Sequence, residues 1–329
     1  MQSFDYTRAP DVAGAAALNE GGARVLAGGT TLVDLMKLNV ERPARLVDIT
    51  RITGLDHIEV GNDWIRIGSL ARMSAVADHP QIKSTAPVVA ESLARAASAQ
   101  IRNMASMGGN LLQRTRCPYF RDVAAAAPCN KRVPGSGCAA QDGINRNHAV
   151  LGGSKACIAV YPGDFATALA AFDGRIRIQG DRERVVVANE FFRTPGETPN
   201  IENSLQHGEI ITAIEIPVTA ALRNSHYLKV RDRASYEFAA ASAAVGVELE
   251  SDGETIKDVR VALGGVATKP WRARAVEAEL AGKPFTESVI RTAASRATKG
   301  AVARQHNMYK ITLIPRVVTR ALLEARRVA

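Results

Sequence analysis

The stretch "VLAGGTTLVDLMK" (Val25–Lys37) decides how the N-terminal part of this chain folds. A short β-type run, "ARVL", stops at two glycines. Apolar residues then recur at Leu32, Leu35, Met36 and, more weakly, Leu38, which is helical spacing. Thr30 or Thr31 is a suitable cap for that helix. The unit is therefore strand, Gly-Gly-Thr turn, helix. Glycines let backbone approach an anion closely, and open N–H groups at the start of a helix face it. Gly28, Gly29, Thr30 and Thr31 suit a diphosphate on that ground, although a tight turn with no ligand suits the same residues. The chain has no G-x-G-x-x-G and no Walker A lysine, so neither of those nucleotide fingerprints applies.

Working outward, "ARLVDIT" and "GNDWIRIGSL" read as further strands, and "SAVADHPQIKSTAPVVAESLARAAS" as mostly helical. "ASMGGN" (Ala105–Asn110) is a second small-residue turn, in which Ser106 and Asn110 offer hydrogen bonds and Gly108 and Gly109 permit close approach. A helix from about Phe165 to Phe172 precedes a strand, and "GEIITAIEIP" is a strand ending at Pro217. A boundary falls near residues 219–224. Beyond it come strands, a turn and helices, and the chain ends in two helices.

Between these regular parts, residues 113–161 are rich in Gly, Pro, Asn and Arg and show little periodicity. Structureless segments of that length inside a compact domain tend to be functional. All four cysteines lie there, spaced C-x11-C-x8-C-x18-C at Cys117, Cys129, Cys138 and Cys157. Buried structural cysteines usually sit in regular apolar segments, so four unrelated thiols are disfavoured. The spacing leaves three options of comparable weight: an all-cysteine zinc site, an iron–sulfur cluster, or two disulfides. Zinc is weakened by the lack of any close C-x2–4-C pair. Seven Lys/Arg against two acids between Arg114 and Cys157 would suit a negatively charged cluster, with Arg114, Arg116, Lys131 and Arg132 as its basic neighbours.

Composition narrows the rest. A hydrophobic content of 46% permits a sizeable core, and no apolar run is long enough for a membrane span. The net charge of +9 raises nucleic-acid binding, but aromatic content of 5% and the absence of any recognised binding motif argue against it. "MQSFDYTRAPDVAGAAALNEGG" is not a signal peptide.

Taken together, "VLAGGTTLVDLMK", "IRNMASMGGNL", "GEIITAIEIP" and "YLKVRDRASYEFAAASAAVGVEL" resemble the FAD-binding medium subunit of the xanthine dehydrogenase/aldehyde oxidoreductase family, in the family's order and over essentially the whole chain. Most such subunits pass directly from the second Gly-Gly-Asn turn to the "GD" segment. Here about fifty residues intervene, and "NLLQRTRCPYF", "INRNHAVLG", "CIAVYPGDFA" and "VALGGVATKPWR" are similar to the branch that adds a [4Fe-4S] cluster, like the periplasmic aldehyde oxidoreductases.

The resemblance implies an α+β fold. Its parts are a two-part FAD-binding domain (vanillyl-alcohol-oxidase/PCMH-like) with an Fe–S loop insertion, and a C-terminal α+β domain of the CO dehydrogenase flavoprotein type. The boundaries are 1–58 and 59–221 for the two FAD subdomains, with the insertion at about 113–161, and 222–329 for the C-terminal domain. It implies FAD contacts from Val25, Leu26, Ala27, Gly28, Gly29, Thr30, Thr31 and Leu32, from Ser106, Gly109 and Asn110, and from Asp164, Ile211 and Lys229. It also implies cluster ligation by Cys117, Cys129, Cys138 and Cys157. Read without the family, Lys229 would be a surface lysine on a strand. "SYEFAAAS" departs from the acid–apolar order of many relatives, which leaves Glu237 without an assigned role.

The implied function is electron transfer. A large molybdenum-cofactor subunit oxidises an aldehyde to the acid, a small subunit with two [2Fe-2S] clusters relays electrons, and an external acceptor drains the flavin. No acid/base catalyst is expected in this chain. The implied compartment is the periplasm, by co-export with a twin-arginine-bearing partner, or the cytoplasm. Two rivals stay open: a xanthine dehydrogenase or hydroxybenzoyl-CoA reductase-like subunit, and a zinc-stabilised binding or scaffold protein.

Overall fold

Three sheets divide the chain in a computed structural model that describes residues 1–328. The first is parallel, with β1 (Asp5–Arg8), β2 (Ala23–Leu26) and β3 (Arg45–Asp48) in the order β1-β3-β2. The helix Leu32–Lys37 makes the crossover from β2 to β3 and buries Leu35 and Met36, the apolar positions whose spacing marks it in the sequence. The run "DYTR" gives no comparable signal, and β1 forms because Asp5–Arg8 can pair along the free side of β3.

The second sheet is antiparallel: β4 (Ile58–Val60), β5 (Trp64–Gly68), β6 (Arg175–Gln179), β7 (Glu183–Val187) and β8 (Ile210–Pro217), in the order β4-β5-β8-β6-β7. β8 is central, so Ile210, Ile211, Ile214 and Ile216 are all buried, and the strand reads as a near-continuous apolar run. It ends at Pro217, which has no N–H to continue the ladder. The stretch expected to be mostly helical breaks into three short helices, Met73–Asp78, Pro80–Thr85 and Pro87–Ala94. Pro80 and Pro87 each open a helix, where a missing N–H costs nothing.

The third sheet is antiparallel, with β9 (Ser225–Val230), β10 (Ala241–Leu249), β11 (Ile256–Gly264) and β12 (Trp271–Arg272) in the order β12-β11-β10-β9. The helix Tyr309–Val328 packs on it through Ile314, Val317, Val318, Ala321, Leu322 and Ala325, a stripe at helical spacing. Among the described residues no helix is long and apolar enough to cross a membrane.

The cysteine-bearing segment leaves the helix Met107–Leu111 and returns at the helix Asp164–Ala171. Its mouth is closed where Tyr161 Oη donates to Leu111 O at 3.0 Å. Inside it the sole helix is the single turn Pro118–Arg121. Its body docks in two directions. Phe120 and Cys129 pack on Leu35 of the crossover helix, while Arg121 and Arg116 reach Asp34 of the same helix at 2.5 and 3.4 Å. On the other side, Asn145 Oδ1 accepts from His306 N–H at 3.0 Å, and Arg304 donates to Gln141 Oε1 at 3.0 Å.

The second and third sheets also meet through His226 on β9. Its Nε2 lies 3.0 Å from Glu324 of the last helix and its Nδ1 lies 2.9 Å from Glu91 of the helix Pro87–Ala94. Burial disfavours charge on this ring, but the two carboxylates more than offset burial and hold the pKa above its ordinary value. A raised folded pKa stabilises the fold fully below the unfolded value of about 6.5, and that contribution is lost as pH rises through the folded value. His226→Gln should therefore lower Tm by roughly 2–4 °C at pH 6, with the deficit shrinking toward pH 9. Thermal melts at the two pH values check this.

Candidate functional site

Val25 to Leu32 run half-buried from the end of β2 into the crossover helix. Gly29 has φ +70, a conformation that favours glycine. Thr31 stands at the cap position but makes no side-chain capping bond. Gly28 is needed for a different reason. A Cβ there would collide with the carbonyl oxygen of Met104 and lie 3.0 Å from Ala105 Cα. The first loop is thus pressed directly against the backbone that leads into the second.

In the second loop Ser106 Oγ caps the short helix Met107–Leu111 by accepting from Gly109 N–H at 3.3 Å. Gly108 N–H donates to Ser69 O at 2.8 Å, and Thr212 O accepts from Ser69 N–H at 2.9 Å, so β8 lies beneath this loop. Asn110 Nδ2 approaches Met73 Sδ at 3.4 Å, while its Oδ1 is buried with no partner. Ile211 is 5% exposed and pairs with Ile178, and its neighbour Ile210 packs with Val25 and Ala27. Both glycine loops and Ile211 therefore form one region. Small residues and an unsatisfied buried amide oxygen there suit a polar ligand brought close to backbone.

Asp164 and Lys229 belong to a second region. Asp164 begins the helix Asp164–Ala171 and is 6% exposed. Tyr227 Oη donates to its Oδ1 at 2.6 Å and Lys229 Nζ to its Oδ2 at 2.8 Å. Lys229 Nζ also donates to Arg95 O at 3.1 Å, so the lysine is buried and fully engaged rather than on the surface. Burial pushes the Asp164 carboxyl up, and Lys229 and Tyr227 only partly restrain it. Asp164 lines a larger cavity whose other walls include Arg116, Cys117, His148, Glu237 and Phe238. Arg116 lies over the Phe238 ring, 5.1 Å from its centroid. The glycine-loop residues do not line this cavity. Glu237, left without a role by the sequence, is in its wall. His148 gives no signal in the sequence beyond lying in the insertion, and Arg116 is legible there only as one of its basic residues.

All four cysteines are free, so the disulfide option is not realised. They line one small cavity, with Cys129 and Cys138 facing each other across an isolated bridge. Cys117 Sγ lies 3.2 Å from His148 Nε2, and Ala159 N–H donates to Cys157 Sγ at 3.4 Å. Burial pushes the Cys117 thiol up to about 12, and also raises Cys157 despite the nearby Lys131. Burial and then Lys310 push His148 down to about 4. Among the described residues no three His, Cys, Asp or Glu side chains converge tightly enough to hold a single metal ion.

The basic residues expected to balance a cluster have other partners. Arg114 pairs with Glu202 at 2.5 Å and with Glu41, Arg116 with Asp34, and Arg132 with the carbonyls of Tyr119, Phe120 and Ala127. Lys131 alone of the four stays in the thiol cavity wall, and it too pairs with Glu202, at 2.9 Å. Sequence shows charge but not which acid, distant along the chain, takes it.

This arrangement of a glycine-loop domain and a C-terminal sheet defines a family. The chain belongs to the FAD-binding medium subunits of the molybdenum hydroxylases. The FAD binding domain in molybdopterin dehydrogenase matches residues 2–219 and the CO dehydrogenase flavoprotein C-terminal domain matches residues 226–325. It is accordingly the FAD subunit of an oxidoreductase, with the mixed α+β fold of that family. The aldehyde oxidoreductase FAD-binding subunit PaoB of Escherichia coli (strain K12) is 43% identical over 333 residues, 99% of each chain. The glyceraldehyde dehydrogenase medium chain of Sulfolobus acidocaldarius is 27% identical over 90% of this chain and 87% of its own. Among solved structures, carbon monoxide dehydrogenase from Hydrogenophaga pseudoflava superposes with a TM-score of 0.77 at 25% identity, covering 100% of this chain and 99% of that one.

Two outcomes follow from the geometry. Gly28→Ala should destabilise the protein by about 1–3 kcal/mol, because the added methyl meets backbone, and should lower bound flavin; urea unfolding and flavin absorbance check both. Lys229→Met should cost about 3–5 kcal/mol by leaving a buried carboxylate unpaired, with Asp164→Asn in the same chain recovering part of the loss in urea unfolding.

Proposed function

We propose that this chain is the FAD- and [4Fe-4S]-containing electron-transfer subunit of a heterotrimeric molybdenum aldehyde oxidoreductase. The observation that carries the reading is the single cavity lined by four free thiols, one of which, Cys117, also lines the cavity beside Asp164. The relative at 43% identity, itself named as an aldehyde oxidoreductase subunit, supports the substrate class. The donor set suits a cluster: four free thiols line one cavity, with no disulfide among them. The glycine loops fit a cofactor diphosphate, with Gly28 and Gly29 allowing backbone approach, while Asn110 Oδ1, an acceptor, suits a hydroxyl or N–H elsewhere on the cofactor.

Bound FAD and cluster supply the redox chemistry, and the chain supplies binding, orientation and exclusion of water. Val25–Leu32 with Ser106, Gly109 and Asn110 hold the cofactor's phosphate end, and Ile211 packs beneath. Asp164, fixed by Tyr227 and Lys229, presents a polar group to the larger cavity. Cys117, Cys129, Cys138 and Cys157 bind the cluster. The division into 1–58, 59–221 and 222–329 belongs to the same reading. The partners are a large molybdenum-cofactor subunit, where the aldehyde reacts, and a small subunit with two [2Fe-2S] clusters.

The complex purified with its partners should absorb near 450 nm, contain about one FAD and four irons per copy of this chain, and oxidise aromatic aldehydes. Colourless protein with one zinc and no flavin sinks the proposal. Cys129→Ser should lower iron while leaving most of the FAD, and unchanged iron would remove Cys129 from the ligand set.

A further inference from the structure

His148 is the one side chain among the described residues that hydrogen-bonds a cysteine sulfur. Its Nε2 lies 3.2 Å from Cys117 Sγ. The residue is 3% exposed, and its backbone is fixed at both ends: its N–H donates to Asn145 O at 3.0 Å, and its carbonyl accepts from Asn307 Nδ2 at 3.3 Å. Asn307 lies just ahead of the last helix, so the C-terminal part of the chain holds the backbone of this residue in place. The other ring nitrogen, Nδ1, is buried without a partner.

These facts fix the tautomer. A sulfur bound to iron has no proton to give and acts only as an acceptor. The proton must then sit on Nε2, which leaves Nδ1 as a bare acceptor. The opposite tautomer would bury an unpaired N–H on Nδ1 and set two lone pairs against each other at the sulfur. Cys117 is also the one cysteine among the described residues that lines both the thiol cavity and the cavity beside Asp164. His148 lines that second cavity as well.

We infer that His148 is a positioning residue that donates an N–H···S hydrogen bond to Cys117 and thereby raises the reduction potential of the cluster at the wall it shares with the cavity beside Asp164. The inference rests on the cluster reading above. Hydrogen bonds to ligand sulfur draw charge from the metal centre and favour its reduced state. The backbone N–H of Ala159 makes the corresponding contact to Cys157, at the longer distance of 3.4 Å, and neither of these two residues lines the cavity beside Asp164.

The test is a redox titration of the assembled complex followed by electron paramagnetic resonance, with iron content measured alongside, for wild type, His148→Leu and His148→Gln. The leucine variant should keep its iron and titrate at a more negative potential, and the glutamine variant, which retains a donor, should move back toward wild type. Loss of iron in the leucine variant with retention in the glutamine variant supports the same role. A leucine variant with full iron and an unmoved potential overturns the inference while leaving the cluster standing. Equal loss of iron in both variants also overturns it, since His148 would then act through packing. Wild-type complex with flavin and no iron overturns the cluster reading and the inference together.

Discussion

A carboxylate and an ammonium, both withdrawn from water, meet where the two larger sheets adjoin. Asp164 starts the helix Asp164–Ala171, which lies against β10 and β11 of the four-stranded sheet and shares one apolar core with the five-stranded sheet, and Lys229 comes from β9. Bringing either group inside alone would be costly, so each requires the other to be in place. Tyr227 satisfies the second carboxylate oxygen and Arg95 O takes a further ammonium proton. The pair contributes little net stability for its cost, but it specifies how the sheets face each other. The larger cavity opens directly beside it, with Asp164 in its wall.

Much of this was legible in sequence. The Gly-Gly-Thr turn, the central apolar strand Ile210–Pro217 and the last amphipathic helix each carry a local pattern strong enough to read, and the structure has all three. Four cysteines in one irregular segment were reason to expect them near one another, and they line a single cavity. What was not legible depends on distant partners. Asp34 receives Arg116 and Arg121 from more than eighty residues away, and Glu202 receives Arg114 and Lys131. Charge patterning cannot say which acid a base will find once the chain is folded.

The same limit applies to Lys229 and His148. On sequence alone a lysine in an alternating strand reads as solvent-facing, because burial of an ammonium is rare without a partner. Its partner is sixty-five residues earlier. A histidine in a Gly/Asn-rich loop reads as exposed, yet His148 is buried because residues near the C-terminus close over it. Strand order was equally hidden. β8 enters between β5 and β6, long after both have been made, and only its largely apolar make-up hints at a central position.

The bond from Tyr161 to Leu111 has a wider consequence. It means that the fifty-residue excursion leaves and re-enters the domain at nearly the same point. Closure entropy grows only logarithmically with length, so lengthening a loop whose ends already touch costs little. The domain around the mouth need not change when such a loop grows or shrinks. A lineage could therefore gain or shed the whole cysteine module as a detachable cassette, and the burden of fitting it would fall on the two surfaces it lands on, Asp34 and Leu35 on one side and Arg304–Asn307 on the other.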